Sequence, residues 1–501
     1  MFKARPLSLA TTGPLALTWL ALLASASMMT SCGPAQDAET AGRTTLTQKW
    51  LTRAQASYKS GDFEDAEQSV LGGIKEAPKD NELRVLAAKI ALTRLDFSEA
   101  LKRSDGVNTP EAHGLRGRAY WYLGKYEEAA DEMDLYLRDP SVKDDWARDL
   151  TKLARSANGR QPYKMEGGVA SAVELPKAGH ALIVPCELEG EKILAMITTA
   201  NAGLVVDSNS RKDAAWVNMR FGDMEVQDVP AFPQDLGPLS TKMGAPIKAL
   251  LGMDLLRHLH PTMDRRGDQF VVRREDPPPP PDATKFEMWY LKGGAMAWRA
   301  FLGKRTEATS LSLFVVDTSQ PFLVALTDEG WKKSGVSLSA LSREPGLPEP
   351  LKSGILPDFH IASFDFSGVP GIQGFPMDGL PTDVDIAGVL GASVVSSFRI
   401  TLMANGKYAW LEPDPNIFAP KNAGETKDGG KAPEGTSETK DPAKDPGAKE
   451  GAAKEGAKPK TTSTKSPATN GPAGTAPGTK PAAAKKPDAA TKPATAKPAK
   501  P

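Results

Sequence analysis

The stretch Leu313-Phe314-Val315-Val316-Asp317-Thr318-Ser319-Gln320-Pro321-Phe322-Leu323-Val324-Ala325-Leu326 decides how this chain is read. It is an apolar run interrupted by one carboxylate, Asp317, and its β-branched and aromatic residues suit a buried strand that breaks at a turn and resumes. About 75 residues later, Ile386-Ala387-Gly388-Val389-Leu390-Gly391-Ala392-Ser393-Val394-Val395 reads as a second apolar strand that passes through Leu-Gly into a short helix. That separation suits a small all-β barrel domain.

The same layout occurs upstream. After Gly168 the texture changes to short β-like runs with turn signals: 180–189 lead to Gly190, 193–206 are apolar, 221–230 hold a Gly-containing hairpin, and 247–256 pass through Leu251-Gly252. The chain therefore predicts two tandem lobes of one fold, lobe one over 165–275 and lobe two over 285–413. Between them, 276–284 carry five consecutive prolines, a stiff, extended connector.

Together Asp317-Thr318 and Leu390-Gly391 resemble the retropepsin-like and pepsin-like aspartyl proteases, whose lobes carry an apolar strand ending in Asp-Thr/Ser-Gly. The likeness covers roughly 110 residues of lobe two, and Ser319 stands where that family has glycine. Such a fold hydrolyses peptides with two carboxylates, one from each lobe, sharing a proton: one activates water while the other polarises the carbonyl. The resemblance assigns Asp317 to that role and Thr318 to bracing it. Counted from Gly190, lobe one offers Thr198-Thr199-Ala200-Asn201-Ala202 instead, and a threonine hydroxyl does not ionise near neutral pH. In a rival register, Leu204-Val205-Val206-Asp207-Ser208 would supply the second carboxylate through Asp207, whose other reading is a turn residue after a strand. These alternatives imply a peptide- or protein-binding module that has lost catalysis, or an active aspartic endopeptidase. The endopeptidase would use Asp317 with Asp207, or with Asp317 of a second molecule.

Residues 45–160 have helical periodicity. Gly61-Asp62-Phe63 and Leu123-Gly124-Lys125-Tyr126 separate apolar stripes containing Ala54, Ala66, Ala119 and Ala129, and Pro78 and Pro140 end runs. This is similar to tetratricopeptide repeats, with a middle copy around 86–100 that has Leu95-Asp96 where glycine is expected. Such an array implies either a concave groove for a peptide or protein, a scaffold for assembly, or a spacer that packs on its neighbour.

The N-terminal 1–31 read as an export signal: Lys3 and Arg5, then an apolar core over 15–23 too short to span a bilayer. Met29-Thr30-Ser31-Cys32-Gly33 is similar to a bacterial lipobox, which implies acylation of Cys32, a linker over 32–44, and an anchor in the cell envelope. Gly33 favours the outer membrane, facing the periplasm. Only Cys186 then remains, and one thiol closes no internal disulfide.

Residues 414–501 are Pro-, Ala- and Lys-rich with almost no large apolar residue, which predicts a disordered tail. The chain is neutral overall, but that segment is basic and the rest mildly acidic. No basic stripe with interleaved aromatics points to nucleic acid. No phosphate-cradling glycine loop points to a nucleotide cofactor. His258 and His260, near Asp254 and Asp264, lack the converging geometry of a metal site, and Asp383 and Asp385 read as loop residues.

Overall fold

The computed structural model describes residues 43–177, 181–291, 294–304, 311–343, 348–377, 380 and 383–413. Cys32, the export-type segment and the basic C-terminal segment lie outside them.

The helical region comprises α1 (Thr45–Lys59), α2 (Phe63–Glu76), α3 (Asn81–Thr93), α4 (Phe97–Ser104), α5 (Pro110–Tyr122), α6 (Tyr126–Leu137) and α7 (Asp145–Arg155). Local chemistry sets the starts. The side chains of Asp62, Asp80, Asp96, Thr109 and Asp144 each accept a hydrogen bond from the backbone N–H three residues on. That satisfies one of the donors every helix leaves open at its first turn. The three hairpin turns need left-handed backbone, and Gly61 (φ 78°), Leu95 (φ 55°) and Gly124 (φ 71°) supply it. Leu95 thus does in the middle copy what glycine does in its neighbours, and its side chain packs against the core. Within the pairs, fully buried Ala54, Ala66, Ala88 and Ala119 let the helices approach closely.

Lobe one contains β1 (Lys164–Glu166), β2 (Ala170–Glu174), β3 (Ile183–Leu188), β4 (Glu191–Ile197), β5 (Leu204–Asp207), β6 (Ala215–Phe221), β7 (Met224–Gln234), α8 (Gly237–Met243), β8 (Ile247–Leu251), α9 (Met253–His258), β9 (Thr262–Asp264) and β10 (Gln269–Arg273). Lobe two contains β11 (Thr284–Glu287), β12 (Trp289–Tyr290), β13 (Met296–Leu302), β14 (Ser312–Asp317), β15 (Val324–Leu326), α10 (Asp328–Lys333), β16 (Lys352–Ile361), β17 (Phe364–Gln373), β18 (Gly388–Gly391), α11 (Ala392–Val395), β19 (Phe398–Met403) and β20 (Tyr408–Pro413).

In lobe one the order β7-β5-β8-β4-β3-β6 is closed by β6 pairing with β7; in lobe two β13-β14-β18-β15-β17-β16 is closed by β13 pairing with β16. Closure removes the exposed sheet edges that invite aggregation. The lobes share a third sheet, β11-β20-β19-β9-β10-β2, whose centre is the antiparallel pair β9–β19. There Thr262 and Thr401 face each other with hydroxyls 2.9 Å apart, on the pseudo-two-fold axis that relates the two lobes.

The helices pack on both lobes. Phe63 meets Trp289 of lobe two at a ring separation of 4.8 Å, Arg299 pairs with Glu64, and Gly61 leaves no room for a side chain over Leu313. On lobe one, Trp216 stacks on Trp121 at 5.8 Å and donates its indole N–H to Ser156 Oγ at 3.1 Å, and Arg160 pairs with Asp228 at 2.7 Å. The array is therefore a bracket across the two barrels.

Candidate active-site cleft

The site lies where β4 and β14 end. Asp317, the last residue of β14, pairs with Gly391 of β18. A Cβ on Gly391 would stand 2.1 Å from the Phe322 carbonyl oxygen, so only glycine fits. Lobe one repeats the arrangement: the Thr198 N–H donates to the Leu251 oxygen at 3.0 Å, and a Cβ on Gly252 would stand 2.2 Å from the Gly203 oxygen. Both Leu-Gly steps thus exist because the loop after the central strand crosses directly over them.

The next residues lock the lobes together. Thr199 Oγ1 donates to the Val316 oxygen at 2.6 Å, and Thr318 Oγ1 donates to the Ile197 oxygen at 2.7 Å. Each hydroxyl also accepts the backbone N–H of the other threonine at 3.3 Å. The two threonines are fully buried, so all four bonds are shielded from water. Thr199 and Thr318 are therefore symmetry mates, and one residue back in each lobe Thr198 is the mate of Asp317. Thr198 brings a neutral hydroxyl to that point of lobe one, where lobe two brings a carboxylate.

The Asp317 carboxylate is held by its own loop: Oδ1 accepts the Ser319 N–H at 2.9 Å and Oδ2 accepts Gln320 Nε2 at 3.1 Å. It is 6% exposed and Thr198 2%. Asp207 does not join them. It ends β5 opposite Gln234 of β7, the place Leu326 takes opposite Gln373 in lobe two. Lys248 Nζ stands 2.8 Å from its Oδ2 and holds the carboxyl below the usual carboxylate range. Asp207 thus ends the strand that follows Gly203 and lies outside the loop that carries Thr198 and Thr199.

Beside the dyad position lies a hollow of about 210 Å³ lined by both lobes. Lobe one contributes Lys242 and Met243 from α8 with Ala181, and lobe two contributes Ser319, Gln320 and Pro321. Sequence reasoning missed Thr199, Gln320 and Lys242. Thr199 was detectable as the second residue of a motif whose first residue had changed; the roles of Gln320 and Lys242 depend on the loop and helix that aim them.

Among the described residues no cluster of three or more His, Cys, Asp or Glu is placed to hold a metal. His258 stacks on Tyr163 at 4.0 Å, and burial pushes its imidazole well below the usual value. His260 Nδ1 is 2.6 Å from Asp276. Asp383 accepts the Tyr58 hydroxyl at 3.0 Å, and the Asp385 N–H donates to Lys59 O at 2.6 Å, so both tie lobe two to the helices. Burial pushes the Cys186 thiol up to about 12.

A tetratricopeptide-type array joined to two pseudo-symmetric acid-protease-type barrels defines the class of fold. No family model and no curated protein matches the chain. Solved structures do. The chain is similar to the Arabidopsis OM64 TPR domain, at 20% identity over 23% of this chain and 98% of that one, with a TM-score of 0.21. It is similar to the first TPR domain of human RPAP3, at 19% identity over 22% and 91% of the two chains (TM-score 0.21). The third is a retropepsin-like aspartic protease from Rickettsia conorii, at 21% identity over 26% and 91% (TM-score 0.20).

Proposed function

We propose that this chain binds peptide or protein segments in its interlobe cleft without hydrolysing them. The observation that carries the reading is the reciprocal Thr199–Thr318 lock, which supports Thr198 as the counterpart of Asp317. A water between the lobes would find one ionisable acid and one hydroxyl, and an aspartic mechanism needs two acids so that one can be a base while the other is protonated. The hollow beside Asp317, with Lys242 at its rim, supplies the binding surface. We further propose that acylation of Cys32 tethers the protein to the envelope, at the outer membrane with the folded region in the periplasm; this reading rests on the lipobox-like 29–33.

The test uses the purified folded region with casein peptides. Wild type and D317N should both retain peptides on a column without turnover, and S319W, which fills the hollow, should lose them while unfolding at the wild-type temperature. Casein hydrolysis by wild type that disappears in D317N overturns the proposal. For the anchor, C32S should stop incorporation of a labelled fatty acid; unchanged labelling rejects it.

A further inference from the structure

A larger cavity, about 340 Å³, lies at the seam between α3, α5 and the β module. It shares no lining residue with the hollow beside Asp317, and its size falls within the range of small-ligand sites, roughly 300–1,000 Å³. Its walls come from three parts of the chain: Tyr58 and Tyr122 from the helices, Asp254 from lobe one, and Tyr290, Gly294 and Asp383 from lobe two. Gly294 is confined there, since a Cβ would stand 2.5 Å from that of Ala202. The cavity thus reaches the loop that follows Thr199.

The lining pairs aromatic rings with an excess of acid. Four tyrosines contribute, with Tyr136 as the fourth, and four carboxylates (Glu111, Asp139, Asp254 and Asp383) face two cations, Lys89 and Arg118. Both cations are already engaged. Lys89 Nζ lies 2.5 Å from Glu111 and 3.2 Å from Asp383. Arg118 is paired with Asp144 at 3.3 Å and lies 4.2 Å over the Trp146 ring.

Asp254 has a looser ion pair. It is 7% exposed, its nearest cation is Arg257 Nε at 3.5 Å, and that guanidinium is turned onto the rings of Phe97 and Tyr122; the Tyr122 hydroxyl also donates to the Asp254 carboxylate, yet burial still pushes that carboxyl above the usual carboxylate range. An incoming anion would have to break existing ion pairs, whereas an incoming ammonium would add positive charge beside a buried carboxyl whose nearest cation stands 3.5 Å away.

We propose that this cavity is a second binding site, for a primary amine carried on an apolar stem, as a peptide presents it in a lysine side chain. The stem lies among the tyrosines and the ammonium meets Asp254. The site exists only when the helical array and both lobes are assembled, so it reads their joint presence.

Titration calorimetry on the folded region with n-hexylamine, n-hexanol and n-hexanoate tests the class. The amine should bind at least ten-fold more tightly than either analogue, and D254N should weaken the amine about ten-fold while leaving hexanol unchanged. S141W, a substitution at an exposed position on the cavity wall, should block all three without altering the unfolding temperature, and S319W in the cleft should change none of them. Hexanoate binding as tightly as the amine, indifference to D254N, or no heat with any probe overturns the assignment.

Discussion

Thr199 and Thr318 each donate a hydroxyl hydrogen to the main-chain oxygen that lies just before the other lobe's central position, Val316 on one side and Ile197 on the other, at 2.6 and 2.7 Å. Their effect is to hold the two strand ends in one register, and through it Thr198 and Asp317 are set as a pair.

Removing one hydroxyl leaves a buried carbonyl unsatisfied, which costs about 1–3 kcal/mol. T199V and T318V are each expected to lose that much in urea unfolding. The double variant should lose clearly less than the sum, because both act on one network. Full additivity would show that the two bonds are independent.

Restoring the missing acid should restore chemistry. In T198D two carboxylates would face each other, so one would titrate well above the ordinary carboxylate range. Casein hydrolysis, absent from the parent, should appear in mildly acidic buffer and vanish in T198D/D317N. The variant should also lose stability as pH rises through the elevated value, where both acids must ionise together. A T198D protein that folds and stays inert across pH 3–7, as followed by casein assay, would argue against a paired geometry.

The bracket of helices should be needed for a soluble β module. Phe63 is fully buried against Trp289, and F63A is expected to cost about 3–5 kcal/mol. Limited proteolysis should then cut first between the helices and lobe two. Deleting 43–160 would uncover Trp216 and Trp289 together, and sedimentation should show the remaining barrels self-associating.

Asp207 gives a pH signature of its own. Lys248 lowers its folded-state value, so the stability it contributes is present above the unfolded value, near 3.9, and is lost as pH falls through the folded one. The difference in urea midpoint between wild type and D207N should therefore be steady at neutral pH and shrink below about pH 4. A constant difference down to pH 2 would remove Lys248 as the cause.

Much of the fold is legible in the residues. The hairpin array follows from alanine-rich stripes and Asp caps, and the twin barrels from apolar strands that end in Leu-Gly. Leu95 was the hard case, since a β-turn preference would not place leucine at φ 55°; tertiary packing of its side chain outweighs the backbone cost. The site was half legible. Asp317-Thr318 stood out because a carboxylate in an apolar strand is expensive without a purpose. Both Thr198 and Asp207 follow apolar runs, and it is the spacing from the Gly190 turn that favours Thr198 as the counterpart of Asp317.

Composition, periodicity and local motif determined on their own that helices precede two like barrels and that Asp317 is the one carboxylate in the apolar run 313–326. Tertiary structure alone decided that Thr199 and Thr318 bond across the lobes, that the helices grip both barrels, and that a tyrosine-lined cavity forms at their seam. The reason is that periodicity is a property of neighbours in sequence. Opposition across a two-fold axis is a property of residues more than a hundred positions apart, fixed by hydrogen bonds that no local pattern encodes.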